Sequence, residues 1–144
     1  MRWGEAVGRR VERPAWFDLW GELGAGKSVL ARAIARGAGV ESPMPSPTFN
    51  LVFRYETGRG TRVWHLDLYR LTAEDQVWEL GWQDVGAGDE IVLLEWPERA
   101  RSLLPPDRWV VRLDPHPSDP LLRMVSGEPW GKAPPVPEPG RDDG

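Results

Sequence analysis

The sequence contains no cysteine. That excludes a disulfide framework, a thiolate zinc site and a cysteine nucleophile. Lysine is almost absent as well: Lys27 and Lys132 are the only two, and arginine carries the remaining positive charge. The single asparagine, Asn50, is not followed by lysine. Guanine recognition through an Asn-Lys-x-Asp motif is therefore closed. No apolar run approaches the roughly 20 residues of a membrane-spanning helix, and the N-terminus lacks a signal-peptide core. A formal charge of -4 leaves no positive excess with which to coat nucleic acid. These absences lead to the expectation of a soluble, cytoplasmic protein. At 144 residues the chain is long enough for one domain with a real core.

What is present centres on Gly21-Glu22-Leu23-Gly24-Ala25-Gly26-Lys27-Ser28, a G-x-x-x-x-G-K-[ST] phosphate loop without a mismatch. Ala15 to Trp20 before it reads as a strand, and Ser28 to Ala38 after it reads as a helix. That order is required physically. Backbone N–H groups of the loop converge on anionic phosphates, and the helix N-terminus adds partial positive charge. Lys27 is expected to reach the β- and γ-phosphates, and Ser28 to present its hydroxyl to Mg²⁺.

Upstream, Glu5 to Val11 suggests a brief helix ended by Pro14. Downstream, Leu30, Ala33, Ile34 and Gly37 share one helical face, with Arg32 and Arg36 opposite. Pro43, Pro45 and Pro47 then force an extended loop. In phosphate-loop proteins such a segment often closes over the γ-phosphate with a hydroxyl residue; Thr48 is the first candidate and Ser46 the second. Phe49 to Tyr55 and Arg62 to Arg70, joined by a turn-rich stretch, predict a β-hairpin. In the second strand Val63, His65, Asp67 and Tyr69 share a face opposite Trp64, Leu66 and Leu68. A helix from a Thr72 cap to about Leu80 stops at Gly81.

Ile91-Val92-Leu93-Leu94 is a continuous apolar run, as in a strand buried on both faces. It closes in Glu95, and Val63 to Leu66 closes in Asp67. A phosphate loop needs a carboxylate at the end of a neighbouring strand to hold Mg²⁺. Glu95 is assigned to the metal, and Asp67 to a nearby role as outer ligand or water activator. His65 either contacts the site or is a hydrogen-bonded structural imidazole. Trp96 either lies near the nucleotide or packs in the core. Pro97 suits the first turn of a short helix. Arg108 to Leu113 is a further strand, with a short last one near Leu121 to Val125. The domain is expected to span 1–126, with the Pro- and Gly-rich 127–144 as a mostly disordered tail.

Together the phosphate loop, Ser46-Pro47-Thr48-Phe49, His65-Leu66-Asp67-Leu68-Tyr69-Arg70-Leu71, Glu79-Leu80-Gly81 and Leu94-Glu95-Trp96-Pro97-Glu98 resemble the TsaE (YjeE) family. The resemblance spans most of residues 16–100. It implies an α/β fold, a three-layer P-loop NTPase-like domain with a mixed parallel and antiparallel central sheet. It implies ATP/ADP and Mg²⁺ as ligands and slow ATP hydrolysis in isolation. It further implies docking on a TsaB–TsaD heterodimer that threonylcarbamoylates adenosine 37 of tRNAs reading codons that begin with A. Carried onto matching positions, Gly21 to Ser28 bind the nucleotide, Ser28 and Glu95 hold the metal, and Lys27, Thr48, Asp67 and Glu95 form the catalytic set. Ser28 stands where the family more often has threonine, which keeps the hydroxyl. The alternatives left open by the residues are a small-molecule or nucleotide kinase, for which no lid-sized insertion is visible, and a nucleotide-gated binding module.

Overall fold

The structure is a computed structural model, and residues 2–45, 51–119 and 122–138 are described. Six strands form one sheet: β1 (Ala15–Trp20), β2 (Val52–Glu56), β3 (Arg62–Asp67), β4 (Ile91–Glu95), β5 (Arg108–Pro115) and β6 (Arg123–Trp130). Their spatial order is β2-β3-β4-β1-β5-β6. The four inner strands run parallel, while β2 and β6 pair antiparallel at the edges. The all-apolar Ile91–Leu94 run explains the place of β4. It lies between β1 and β3 with every residue buried, because helices cover both faces of a parallel core.

One face is covered by α1 (Arg2–Arg10) and α2 (Lys27–Gly37). Leu30 and Ile34 of α2 are fully buried there against Phe17, Leu19, Ile91 and Leu93. Each such side chain contributes about 1.5–3 kcal/mol on burial. The other face gathers Trp64, Leu66 and Leu68 of the β3 region with Val77 of α3 (Asp75–Trp78) and Trp82. Sheet and two covers make the three layers. Alternation along β3 thus sorts as its sequence pattern requires: Val63 packs in the first cluster, Trp64 and Leu66 in the second.

The two helices of the first face cross at backbone contact. A Cβ added to Gly8 would lie 1.9 Å from the Ile34 carbonyl oxygen, and one added to Gly37 would lie 2.0 Å from that of Glu5. Only glycine permits this approach.

Two expectations change. No side-chain cap comes from Thr72: α3 begins later, at Asp75, and Gln76 Oε1 instead accepts from the Thr72 and Ala73 amides at 2.8 and 3.3 Å. The boundary at residue 126 falls inside β6, which continues through Gly127 to Trp130 opposite β5. Residues 131–138 then lie back on the domain. Trp109 Nε1 donates to the Pro134 carbonyl at 2.6 Å, Trp3 Nε1 donates to that of Pro137 at 2.8 Å, and Val136 packs against the core. Proline keeps its carbonyl acceptor and an apolar ring, so a segment poor in aliphatics still offers what two indole donors need.

Within β1, Asp18 is fully buried on the second face. Its carboxylate accepts from Trp16 Nε1 at 2.8 Å and from Arg108 Nε at 2.7 Å. Burial pushes its pKa up to about 6, against the pull of those two donors. A folded pKa above the unfolded value of 3.8 means the native state holds this proton more tightly. The resulting stability is fully present below pH 3.8 and is lost as pH rises through about 6. The slope from this group is at most about 1.4 kcal/mol per pH unit. Urea unfolding at pH 4.5 to 7 should therefore show the wild type losing stability relative to Asp18→Asn as pH rises. A difference between the two that does not vary with pH would contradict it.

Candidate functional site: the phosphate loop and its facing carboxylates

The loop after β1 is folded tightly onto the N-terminus of α2. Gly24 and Gly26 take φ values of 82° and 96°, left-handed angles that favour glycine. This turns residues 21–26 around the end of the sheet and leaves Lys27 and Ser28 as the first residues of the helix. Lys27 is 4 % exposed. Its ammonium donates to the carbonyls of Gly21 and Glu22, the latter at 3.2 Å, and sits 3.9 Å from the centre of the Trp96 ring. Burial lowers the Lys27 pKa, while Glu95, Glu98 and Asp67 act in the opposite direction.

Trp96 reaches that position because its own backbone is left-handed, with φ at 60°. A non-glycine residue there costs about 1–2 kcal/mol. The turn ends β4, starts the Pro97–Leu103 helical segment with Pro97 in its first turn, and brings the indole over Lys27 and against Tyr69.

Glu95 is the last residue of β4, and Asp67 is the last of β3; the two are direct partners in the parallel register. Ser28 Oγ donates to the Glu95 carboxylate, at 3.0 Å from Oε1 and 2.8 Å from Oε2. His65 Nε2 lies 2.5 Å from Glu95 Oε2. Asp67 Oδ1 accepts from the Tyr69 amide at 3.0 Å. Its pKa is raised, first by burial, with the Tyr69 hydrogen bond opposing and the Glu95 charge adding. A cleft of about 310 Å³ joins these groups, lined by the loop from Leu23 to Val29 together with Asp67, Tyr69, Glu95 and Trp96.

The chemistry of this cleft is that of a polyanion site. The phosphate loop with Lys27 forms one wall; the carboxylates of Asp67 and Glu95 stand on the other. Among the described residues no group of three or more His, Asp or Glu is placed to hold a metal unaided. A hydroxyl hydrogen-bonded to a carboxylate does suit Mg²⁺, a hard cation that takes few protein oxygens and completes its shell with water and phosphate.

The sequence model for Threonylcarbamoyl adenosine biosynthesis protein TsaE matches residues 1–120. The chain belongs to the TsaE family. A TsaE from Treponema pallidum is 38% identical over 104 residues, covering 72% of this chain and 76% of the relative. A TsaE from Haemophilus influenzae is 33% identical over 122 residues, covering 85% and 77%. Among solved structures, Bacillus subtilis YdiB shares the fold with a TM-score of 0.63, at 21% identity over 88% of this chain and 75% of that one.

Set against these TsaE relatives, the structure brings Lys27, Ser28, Asp67 and Glu95 to one cleft. Thr48 and Ser46 lie outside the described residues. His116 faces its own turn, where Nδ1 accepts from the Ser118 and Asp119 amides at 3.1 and 3.2 Å. Arg123 of β6 was not singled out in the sequence, yet it donates to the Gly24 carbonyl at 3.4 Å and so touches the phosphate loop. Nothing in its local sequence could have announced that contact, which depends on how β6 folds back along β5.

Proposed function

We propose that this protein is a Mg²⁺-dependent ATPase, slow in isolation, that supports threonylcarbamoylation of adenosine 37 in tRNAs reading codons that begin with A. It acts on a TsaB–TsaD heterodimer and meets tRNA through that complex, in the cytoplasm. The observation that carries the reading is the closure of Ser28 onto Glu95 beside the buried Lys27. Amides from Gly21 to Gly26 and the Lys27 ammonium bind and orient the triphosphate. Ser28 and Glu95 would hold Mg²⁺, which supplies charge neutralisation at the phosphates when bound. Asp67 orients or deprotonates the attacking water, and Thr48 contributes a hydroxyl from the loop after α2. Positioning and charge stabilisation are the whole contribution; no covalent intermediate is required. The single asparagine cannot supply the guanine motif.

Phosphate release should be slow for the isolated chain and rise when TsaB, TsaD and tRNA are added. Turnover that is already fast alone and indifferent to those proteins would overturn the proposal. Transfer of the phosphoryl group to a metabolite would replace it with a kinase.

A further inference from the structure

We infer that His65 is a positioning residue that fixes the Glu95 carboxylate for cation binding; this rests on the reading of Ser28 and Glu95 as the Mg²⁺ site. His65 lies in the interior of β3, paired with Leu93 of β4 and Phe53 of β2, and is 1 % exposed. An apolar side chain would ordinarily fill that place. Buried polar groups are retained where they have partners, and the partner here is Glu95, itself 3 % exposed. The direction of the hydrogen bond follows from the acceptor. A carboxylate oxygen accepts, so Nε2 is the donor to Oε2 across 2.5 Å.

Glu95 therefore has two named side-chain donors, Ser28 from the head of α2 and His65 from β3. They act differently. Ser28 would itself ligate the cation, so its hydrogen bond to Glu95 is the contact that cation binding competes with. His65 makes no such exchange. It ties the carboxylate to the strand that also carries Asp67, and holds it in one rotamer whether or not Ser28 is engaged. A ligand held in this way by its neighbour binds a cation without first being ordered, and removing such a neighbour typically weakens metal affinity about 10–100-fold. Asp67 shares the strand and the face but accepts from its own backbone two residues on, so it offers Glu95 no donor.

The test uses the full chain and a fluorescent N-methylanthraniloyl ATP, titrated in EDTA and across a Mg²⁺ series. Wild type, His65→Ala and His65→Gln are compared, since the glutamine amide can replace the Nε2 donor. In EDTA the three should agree within about twofold, whereas the Mg²⁺ midpoint should rise about tenfold or more in His65→Ala and recover to within about threefold in His65→Gln. A merely structural histidine would instead weaken binding equally with and without Mg²⁺. That result, or a His65→Ala midpoint equal to the wild type, overturns the inference while leaving the cation reading standing. A wild type whose affinity ignores Mg²⁺ overturns both. If His65→Ala does not fold, His65→Asn takes its place, because its shorter amide cannot span to Oε2; a folded His65→Asn with a wild-type midpoint is equally fatal.

Discussion

Replacing Lys27 with alanine should lower ATP affinity and turnover by at least about a hundredfold, the scale set by removing one preorganised charge at a reacting phosphate or oxyanion. The Lys27 ammonium is already fixed beside the loop. It is buried at the head of α2, with the carbonyls of Gly21 and Glu22 and the Trp96 ring as its contacts. No second ammonium is at hand: the only other lysine, Lys132, lines a separate cleft with Glu12, Pro14 and Asp107, while Arg123 meets the loop at the Gly24 carbonyl. Lys27→Arg should not rescue the loss. A planar guanidinium is too broad for a slot shaped around a compact ammonium. Calorimetry with Mg²⁺ and ATP reads the result, and circular dichroism verifies the fold. Near-normal affinity in folded Lys27→Ala would remove the ground for reading this cleft as a triphosphate site.

Gly37→Ala should be among the most damaging single-methyl changes outside the cleft. Its new Cβ would meet the Glu5 carbonyl oxygen at 2.0 Å, and backbone cannot rotate aside as a side chain can. Overpacking costs of about 1–3 kcal/mol are usual, and this contact belongs at or above the upper end. For a domain of this size that is a fall in melting temperature on the order of 10 °C. Gly8→Ala should behave alike, because its Cβ would strike the Ile34 carbonyl oxygen at 1.9 Å. Gly88→Ala is the control: its nearest neighbours are Glu90 side-chain atoms at 3.9 and 4.0 Å, so a shift within about 0.5 kcal/mol is expected. Equal melting of all three would mean that α1 does not pack on α2 in this way.

The elements with a strong local signal were legible. The phosphate loop, β1, α2, the β2–β3 hairpin and the fully apolar β4 each announce themselves through spacing within a dozen residues. Glu95 and Asp67 were legible for the same reason, as carboxylates closing apolar strands. What escaped depended on partners distant in the chain. The β6 continuation is held by its pairing with β5, and the segment to residue 138 by the indoles of Trp109 and Trp3, which no local pattern links to prolines 134 and 137. The bond between His65 and Glu95 spans 30 residues and exists only because β3 and β4 are neighbours in the sheet. The glycine contacts between α1 and α2 were invisible too, since a glycine required by a neighbour's backbone looks like any other.

The in-register meeting of Asp67 and Glu95 has a bearing on how the cleft endures. A slip of one residue between β3 and β4 would send one of the two acids to the opposite side of the sheet. That slip would first have to unzip the ladder at the middle of the molecule, where β4 is wholly enclosed. Thermal fraying starts elsewhere, at the outer strands β2 and β6, whose far edges no strand covers among the described residues. Amide protons there should exchange with solvent long before those of β4. A chain caught half open would still carry its acid pair intact.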